Sequence, residues 1–508
     1  MSFMRAFATV SGLTMISRLL GFVRDLTIAA FMGAGPVADA FFVAFKLPNF
    51  FRRLSAEGAF SVAFIPLFSG KLETEGVEAA RGFTNRAFAL MLAILIPFTI
   101  LMILAMPVAI MLLAPGFADE PDRFALAVLL GRIMFPFLLL VSLVALLGGM
   151  LNAMGRFAPF AAAPILLNVC MIAAVVGLTP FMPGPAYALS VGVLVAGILQ
   201  LVALLIVCQR AGMGIRLCVP RLSPDMRRLL KLMAPGLVGA GVVQINLFIG
   251  VVLASLLPAG AVSWLYYADR LNQLPLGVIG IAVGTALLPM LAAAIKTGDD
   301  ERRVGLFSRG LEVALVLTLP AALALMLIPE PLIGVLFERG AFSAADTART
   351  ASALALFAIG LPAYVLVKIF STAFFAAEDT TTPVKAAACG ALTSLMLGGT
   401  LIWVIGHLGI ALATSLAAWL QVAILARGLY VRGALVVDDR LKMRLWRILA
   451  ACAIMVAGLV IGRLVMEPVG LTGLAILVVG GFALYVGAAI ALGAMDVRDL
   501  DRLLRSRT

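Results

Sequence analysis

The chain has 508 residues, 63% of them hydrophobic and only 13% charged, with a formal net charge of +12. Soluble domains carry charge on about a quarter of their residues, so these proportions exclude a soluble globular protein and leave a polytopic membrane protein. The excess of base is spread over short loops between apolar runs, which argues against a nucleic-acid-binding surface.

Apolar runs of about 20 residues or more, the length that crosses a bilayer as a helix, recur to the C-terminus. They fall near 6–32, 37–68, 88–114, 124–151, 158–180, 186–208, 232–257, 261–294, 307–337, 347–376, 384–405, 408–430, 446–466 and 470–494. The expected fold is an all-α polytopic membrane protein of about fourteen transmembrane helices. The second and eighth runs are long and contain prolines, so both are expected to bend or to be partly re-entrant. No cleavable signal is expected, because the first run lacks a small-residue cleavage end and carries internal arginines.

The first two runs carry more charge than a lipid-facing helix tolerates. Arg18, Arg24 and Asp25 lie within SRLLGFVRD, and Asp39, Lys46, Arg52 and Arg53 within ADAFFVAFKLPNFFRRL. A charged side chain at the bilayer centre costs about 2.5–3.5 kcal/mol. At roughly 100° per residue, Ser11, Thr14, Ser17, Arg18, Gly21, Arg24 and Asp25 share one arc of about 140°. Leucine, isoleucine, methionine, phenylalanine and valine fill the rest of the circumference. Such a stripe faces a bundle interior or a water-filled cavity. In the second run Asp39, Lys46, Arg53 and Glu57 would share a face if Pro48 did not interrupt the helix.

Further along, Arg132 falls in the fourth run, Asp269 and Arg270 in the eighth beside Asn272 and Gln273, and Lys368 in the tenth. One reading is a cationic cavity between two halves, lined by Arg18, Arg24, Arg52 and Arg270. The planar guanidinium fork suits phosphate oxygens, so the ligand would be a phosphate or pyrophosphate. The other reading is mutual neutralisation, with Arg24 or Arg18 paired to Asp25 or Asp39, Arg270 to Asp269, and Arg53 and Glu57 snorkelling at the cytoplasmic edge. The arginines outnumber the nearby carboxylates, which favours the ligand.

Loop charge sets the orientation. Arg5, Lys71, Arg81, Arg86, Arg156, the loop from Arg210 to Lys231, Lys296 to Arg309, Lys385, Arg427 to Arg447 and the tail from Arg498 lie on one side. Asp119, Glu120, Asp122, Glu330, Glu338 and Asp346 lie on the other, with few basic residues. Both termini are therefore expected in the cytoplasm. The basic loop at 221–231 and the segment 439–447 are placed either along anionic lipid headgroups or as plain cytoplasmic loops.

Nothing points to catalysis or to a resident metal or cofactor. The five cysteines, Cys170, Cys208, Cys218, Cys389 and Cys452, have no metal-site spacing and read as free thiols. The one histidine, His407, falls at an outer loop. No Walker loop, GxSxG or zinc spacing occurs.

A faint internal repeat relates FKLPNFFRRLSAEGAFSVAFIPLF to YYADRLNQLPLGVIGIAVGTALLPML. It implies two six-helix lobes in parallel pseudo-repeat, 1–215 and 216–435, followed by two C-terminal helices and a tail at 436–508.

The chain resembles the MurJ (MviN) family of lipid II flippases, within the multidrug/oligosaccharidyl-lipid/polysaccharide exporter superfamily. The resemblance covers nearly the whole chain. Its most specific parts are SRLLGFVRD, GAGPVADAFFVAFKLPNFFRRLSAEGAFSVAFIP, APGF at 114–117, VSWLYYADRLNQLP and LFERGAFSAADT. The resemblance implies an inner-membrane flippase that carries the lipid-linked disaccharide-pentapeptide precursor of peptidoglycan to the outer leaflet. It implies a V-shaped cationic cavity and a C-terminal groove for the polyprenyl tail, with cell-wall synthesis proteins as further partners. By motif match, Arg18, Arg24, Arg52 and Arg270 correspond to cavity arginines and Asp39 and Asn49 to further cavity positions. Ser17, Arg53, Glu57, Ser263 and Lys368 are matched as well. One departure is FFAAEDTTTPVK at 374–385, where Ala377 and Thr381 replace basic residues of the family pattern. The sodium site described for some relatives is not carried over, because the seventh run offers only Gln244 and Asn246 and the eleventh only Thr393 and Ser394. A drug or polyprenyl-glycan exporter and a non-transporting cell-wall scaffold are the alternative readings.

Overall fold

The computed structural model describes residues 3–53, 60–297, 299–435, 438–466 and 470–495. Among these residues every regular element is helical.

The first half of the chain contains α1 (Phe3–Met32), α2 (Pro36–Phe51), α3 (Ser61–Thr74), α4 (Gly76–Leu104), α5 (Met106–Leu113), α6 (Pro121–Met134), α7 (Phe137–Ala153), α8 (Ala158–Leu178), α9 (Pro185–Arg210) and α10 (Pro224–Ser255). Then come α11 (Ala261–Thr297), α12 (Asp300–Leu327), α13 (Pro329–Phe337), α14 (Ala344–Ile359), α15 (Leu361–Ala376), α16 (Thr381–Ile405), α17 (His407–Val431), α18 (Asp439–Val465) and α19 (Leu471–Ala491). Each apolar run of the sequence is occupied by one helix or by two in succession. Ten of these segments, within the described residues, are long and apolar enough to cross a membrane.

Besides the second run, which holds α2 and α3, the third, fourth, ninth and tenth runs are each split beside a proline at or directly before the start of the second helix. Pro107 opens α5, Pro329 opens α13 and Pro362 lies in the first turn of α15, while Pro136 directly precedes α7. Proline lacks the N–H that would continue the ladder but suits a helix start. The break frees carbonyls that lipid cannot satisfy. Arg132 Nε donates to the Ile103 carbonyl at 3.1 Å beside the α4–α5 break, and Arg463 Nη1 to the Leu327 carbonyl at 3.1 Å beside the α12–α13 break. This accounts for Arg132 inside an apolar run. The second and eighth runs behave differently from the third and ninth. The helix α2 continues through Pro48 and ends in a wider turn at Arg52 and Arg53, and α11 runs unbroken past Pro275 and Pro289.

The chain forms two compact units. One comprises Met1–Ser263 with Arg339–Phe342, and the other Trp264–Glu338 with Ser343–Thr508. In the first, Phe64, Phe68, Phe83, Leu147 and Met150 form a buried core joining α3, α4 and α7. In the second, Phe307, Ile369, Phe374 and Leu425 join α12, α15 and α17. A further cluster, with Ile448, Met455, Leu477 and Tyr485, fixes α18 and α19 to α12, and the Tyr485 hydroxyl donates to the Val316 carbonyl at 2.7 Å.

Two glycines explain why GAG and RGAF occur in the sequence. Gly33 and Gly340 both have positive φ, +63° and +60°. A Cβ on Gly33 would lie 2.3 Å from the Ala341 carbonyl oxygen, and one on Gly340 2.2 Å from that of Ala30. The close approach lets the Ala341 N–H reach the Ala30 carbonyl at 2.8 Å, which holds the 339–342 segment in the first unit.

Candidate functional site

The polar stripe of α1 packs against α8. Gly21 faces Asn168, close enough that an added Cβ would be 3.5 Å from its Nδ2. Arg24 and Asp25 are buried there. Arg24 Nε and Nη2 donate to Asp25 Oδ1 at 3.1 and 2.8 Å, and Nη1 donates to Asn168 Oδ1 at 3.0 Å. The amide of Asn168 in turn donates to the Ser17 carbonyl at 2.9 Å. One side chain from α8 therefore fixes both Arg24 and the turn that carries Ser17. Arg18, on the same stripe, is exposed. The pairing of Arg24 with Asp25 was one of the sequence alternatives; the pairing with Asp39 does not occur.

Asp39 lies in the first turn of α2, where the helix dipole favours a carboxylate. It is fully buried, and its oxygens accept from four protein donors. Arg123 Nη2 is 2.6 Å away, the Gly260 N–H 2.7 Å and the Ser263 N–H 2.8 Å, and the Ser263 hydroxyl makes a still closer contact. Asp39 thus ties α2 to α6 and to the start of α11. Arg123 itself lies 3.8 Å from the centroid of the Phe117 ring and donates to Glu120 at 3.1 Å. Sequence reasoning missed Arg123 and Asn168. Arg123 had one available signal: it is a base directly after Asp119, Glu120 and Asp122, on the side expected from loop charge to be acidic and outer.

The remaining expected residues are placed as follows. Asn49, one turn before the end of α2, donates to the Phe45 carbonyl at 2.9 Å and accepts from Arg52 Nε at 3.3 Å. Arg52 is half-buried and Arg53 exposed, whereas Glu57 lies outside the described residues. Arg270 and Lys368 belong to the second unit. Arg270 lies against the Tyr266 ring and donates through Nε and Nη2 to its hydroxyl, at 3.2 and 3.0 Å. Asp269 accepts from the amide of Gln273. Lys368 is exposed on α15. All five cysteines are free, and among the described residues no group of three His, Cys, Asp or Glu side chains is placed to hold a metal.

In the second unit Trp264 Nε1 donates to Asp346 Oδ1 at 2.8 Å, and Asp346 also closes a capping box with Ser343 at the start of α14. The Arg349 guanidinium stacks 4.4 Å from the Trp264 ring, and His407, 5.1 Å away, contacts the Arg349 carbonyl at 3.1 Å.

Among the described residues, helices throughout, many of them long and apolar enough to cross a membrane, with arginines held inside them, define a polytopic membrane protein. The sequence profile described as lipid II flippase MurJ matches residues 28–479, and the chain belongs to that family. The probable lipid II flippase MurJ of Rhizobium tropici is 42% identical, over 100% of this chain and 97% of its own length. The lipid II flippase MurJ of Burkholderia cenocepacia is 37% identical over 85% of each chain. Among solved structures, lipid II flippase MurJ in an inward closed conformation superposes with a TM-score of 0.81 at 26% identity, covering 97% of this chain and 99% of that one. An inward-facing multidrug resistance MATE family transporter of the MOP superfamily shares the fold, with a TM-score of 0.66 at 16% identity over 84% of this chain and 97% of that one.

Proposed function

We propose that this protein carries lipid II from the cytoplasmic to the outer leaflet of the bacterial inner membrane by alternating access, with both termini in the cytoplasm. The observation that carries this reading is the α1 stripe. An exposed Arg18 stands on the same face as an Arg24 whose guanidinium is oriented by Asn168, on a helix whose other faces are apolar. Arg18, Arg24 and Arg52 bind the pyrophosphate through charge-assisted hydrogen bonds. Ser17, Asn49, Arg53 and Asp39 are the first unit's further contributions, and Arg270 and Lys368 are the second unit's. The division into lobes 1–215 and 216–435 is part of this reading, with α18 and α19 receiving the polyprenyl tail and other membrane lipids. Cell-wall synthesis proteins are the expected protein partners.

The test is leaflet-resolved movement of labelled lipid II in proteoliposomes. Arg18→Ala, Arg24→Ala and Arg270→Ala are each expected to abolish movement while the protein still inserts, and lysine to rescue poorly where the bidentate fork matters. Full activity in the triple alanine variant overturns the assignment. A drug exporter for cations is disfavoured because the polar stripe is basic, and a scaffold has no need of an oriented Arg24.

A further inference from the structure

A second basic site lies within the second unit. The C-terminal ends of α11, α15 and α17 and the first turns of α12 enclose a cavity of about 100 Å³. Its walls include Arg303 and Arg432, with Leu291, Phe307 and Phe374 forming an apolar lining and Ala377 beside them. Neither guanidinium is used up by protein. Among the described residues Arg303 makes one ion pair, from Nη2 to Asp300 at 3.0 Å, and its Nε is buried with no acceptor. Arg432 donates through Nη2 to Asp379 at 2.6 Å and to the Thr382 hydroxyl at 3.3 Å, and stacks 4.9 Å from the Phe374 ring. Its Nε and Nη1 are left over.

The carbonyls at the end of α17 account for a cation at Arg432, but they do not account for Arg303. A buried N–H without an acceptor at a cavity wall has hydrogen-bonding capacity to offer a group held in that cavity. Two guanidiniums at one cavity suit the oxygens of a phosphate group. Ala377, a small side chain at the cavity wall, leaves open a space that a larger side chain would enter.

We propose that this cavity binds the phosphate group of an anionic phospholipid headgroup, or free phosphate of the same chemistry. Arg303 and Arg432 grip the oxygens, and the apolar walls contact the glycerol end of a lipid. The basic end of the unit is the end expected at the cytoplasmic leaflet, where anionic lipids accumulate.

The experiment uses the full chain in nanodiscs. One arm compares phosphatidylcholine discs with and without phosphatidylglycerol, reading retained lipid by native mass spectrometry. The other titrates inorganic phosphate into phosphatidylcholine discs, reading the unfolding temperature. Arg303→Gln removes one grip and disturbs only a surface ion pair; Ala377→Phe fills the cavity without changing charge. Arg302→Gln, on the exposed side of the same turn, is the charge control. The wild type and the Arg302 variant are expected to bind in at least one arm, and both cavity variants to weaken that binding tenfold or more. A response in the lipid arm identifies a lipid headgroup and one in the phosphate arm alone a soluble phosphate. Equal behaviour of the wild type and both cavity variants, or weakening by Arg302→Gln as great as by Arg303→Gln, overturns the proposal.

Discussion

Arg123 donates to the carboxylate of Asp39 across 2.6 Å, and the two side chains are 1% and 0% exposed. With no water to take over either charge, removing one partner strands the other. Arg123→Met is expected to cost about 3–5 kcal/mol of stability, the range for breaking a buried ion pair. Asp39→Asn combined with Arg123→Met should cost much less than the sum of the two single changes. Unfolding in detergent, analysed as a double-mutant cycle, checks this; strict additivity would show that the two side chains are energetically independent.

Asn168→Leu removes the acceptor that orients Arg24 and the donor to the Ser17 carbonyl, at nearly constant volume. A hydrogen bond to a charged group is worth about 1.5–3 kcal/mol. Lipid II movement is therefore expected to fall tenfold or more, with folding and insertion retained. Unchanged transport in this variant would mean that Arg24 needs no orienting partner.

The legible and illegible parts of this chain divide along physical lines. Hydropathy marked the ten segments that, among the described residues, are long and apolar enough to cross a membrane, because lipid imposes one length and one composition on a helix. The polar stripe of α1 was legible from periodicity, since Ser17, Gly21 and Arg24 share a face in any helix. The partners of that face were not. Asn168 lies in a run that is otherwise almost wholly apolar, and only the packing of α8 on α1 gives it a role. Asp39 was singled out by its charge and by motif match, yet nothing local foretold that Arg123 and the backbone of Gly260 and Ser263 would surround it. Prolines were read as bends in the second and eighth runs. The second run does hold two helices, α2 and α3, whereas α11 runs unbroken through the eighth; further breaks fall in the third, fourth, ninth and tenth runs, and Arg132 and Arg463 satisfy carbonyls freed in the third and ninth.

Asp379 supplies a pH-dependent element outside the spans. The Thr382 hydroxyl and N–H, Arg432 and the Thr381 N–H donate to its carboxylate and hold it below the usual carboxylate range. A group whose pKa is depressed on folding contributes stability above its unfolded value, near 3.8 here, and loses it as pH falls through the folded value. Asp379→Asn should therefore lower the unfolding temperature at neutral pH, and the gap to wild type should close only as pH drops below about 4. A gap that persists undiminished at low pH would assign the effect to geometry rather than charge.

The orientation is open to thiol labelling. Cys218 and Cys389 are exposed, so the background must lack the native cysteines. Single cysteines at Glu120 and Glu338 are expected to react with an impermeant reagent added outside intact cells, whereas those at Glu73 and Asp439 should react only after permeabilisation. All four positions are exposed on the protein surface. Outside labelling at Asp439 would reverse the placement of the C-terminal helices.

The membrane potential, rather than a proton gradient, is expected to drive the cycle. The pyrophosphate headgroup is negative, and so is the cytoplasm. Moving one elementary charge through the potential is worth about 2.3 kcal/mol per 100 mV, so outward passage is downhill unless the binding arginines travel with the anion and cancel it. A proton relay lacks an evident carrier. His407, the one histidine, is fixed against Trp264 and the Arg349 carbonyl. Asp25 is bound by Arg24, Asp39 by four donors and Asp269 by Gln273. The measurement is lipid II movement in proteoliposomes after ionophores collapse each component separately. Movement that stops when only the pH gradient is removed, and survives loss of the potential, would sink this account and make one of those aspartates the proton carrier.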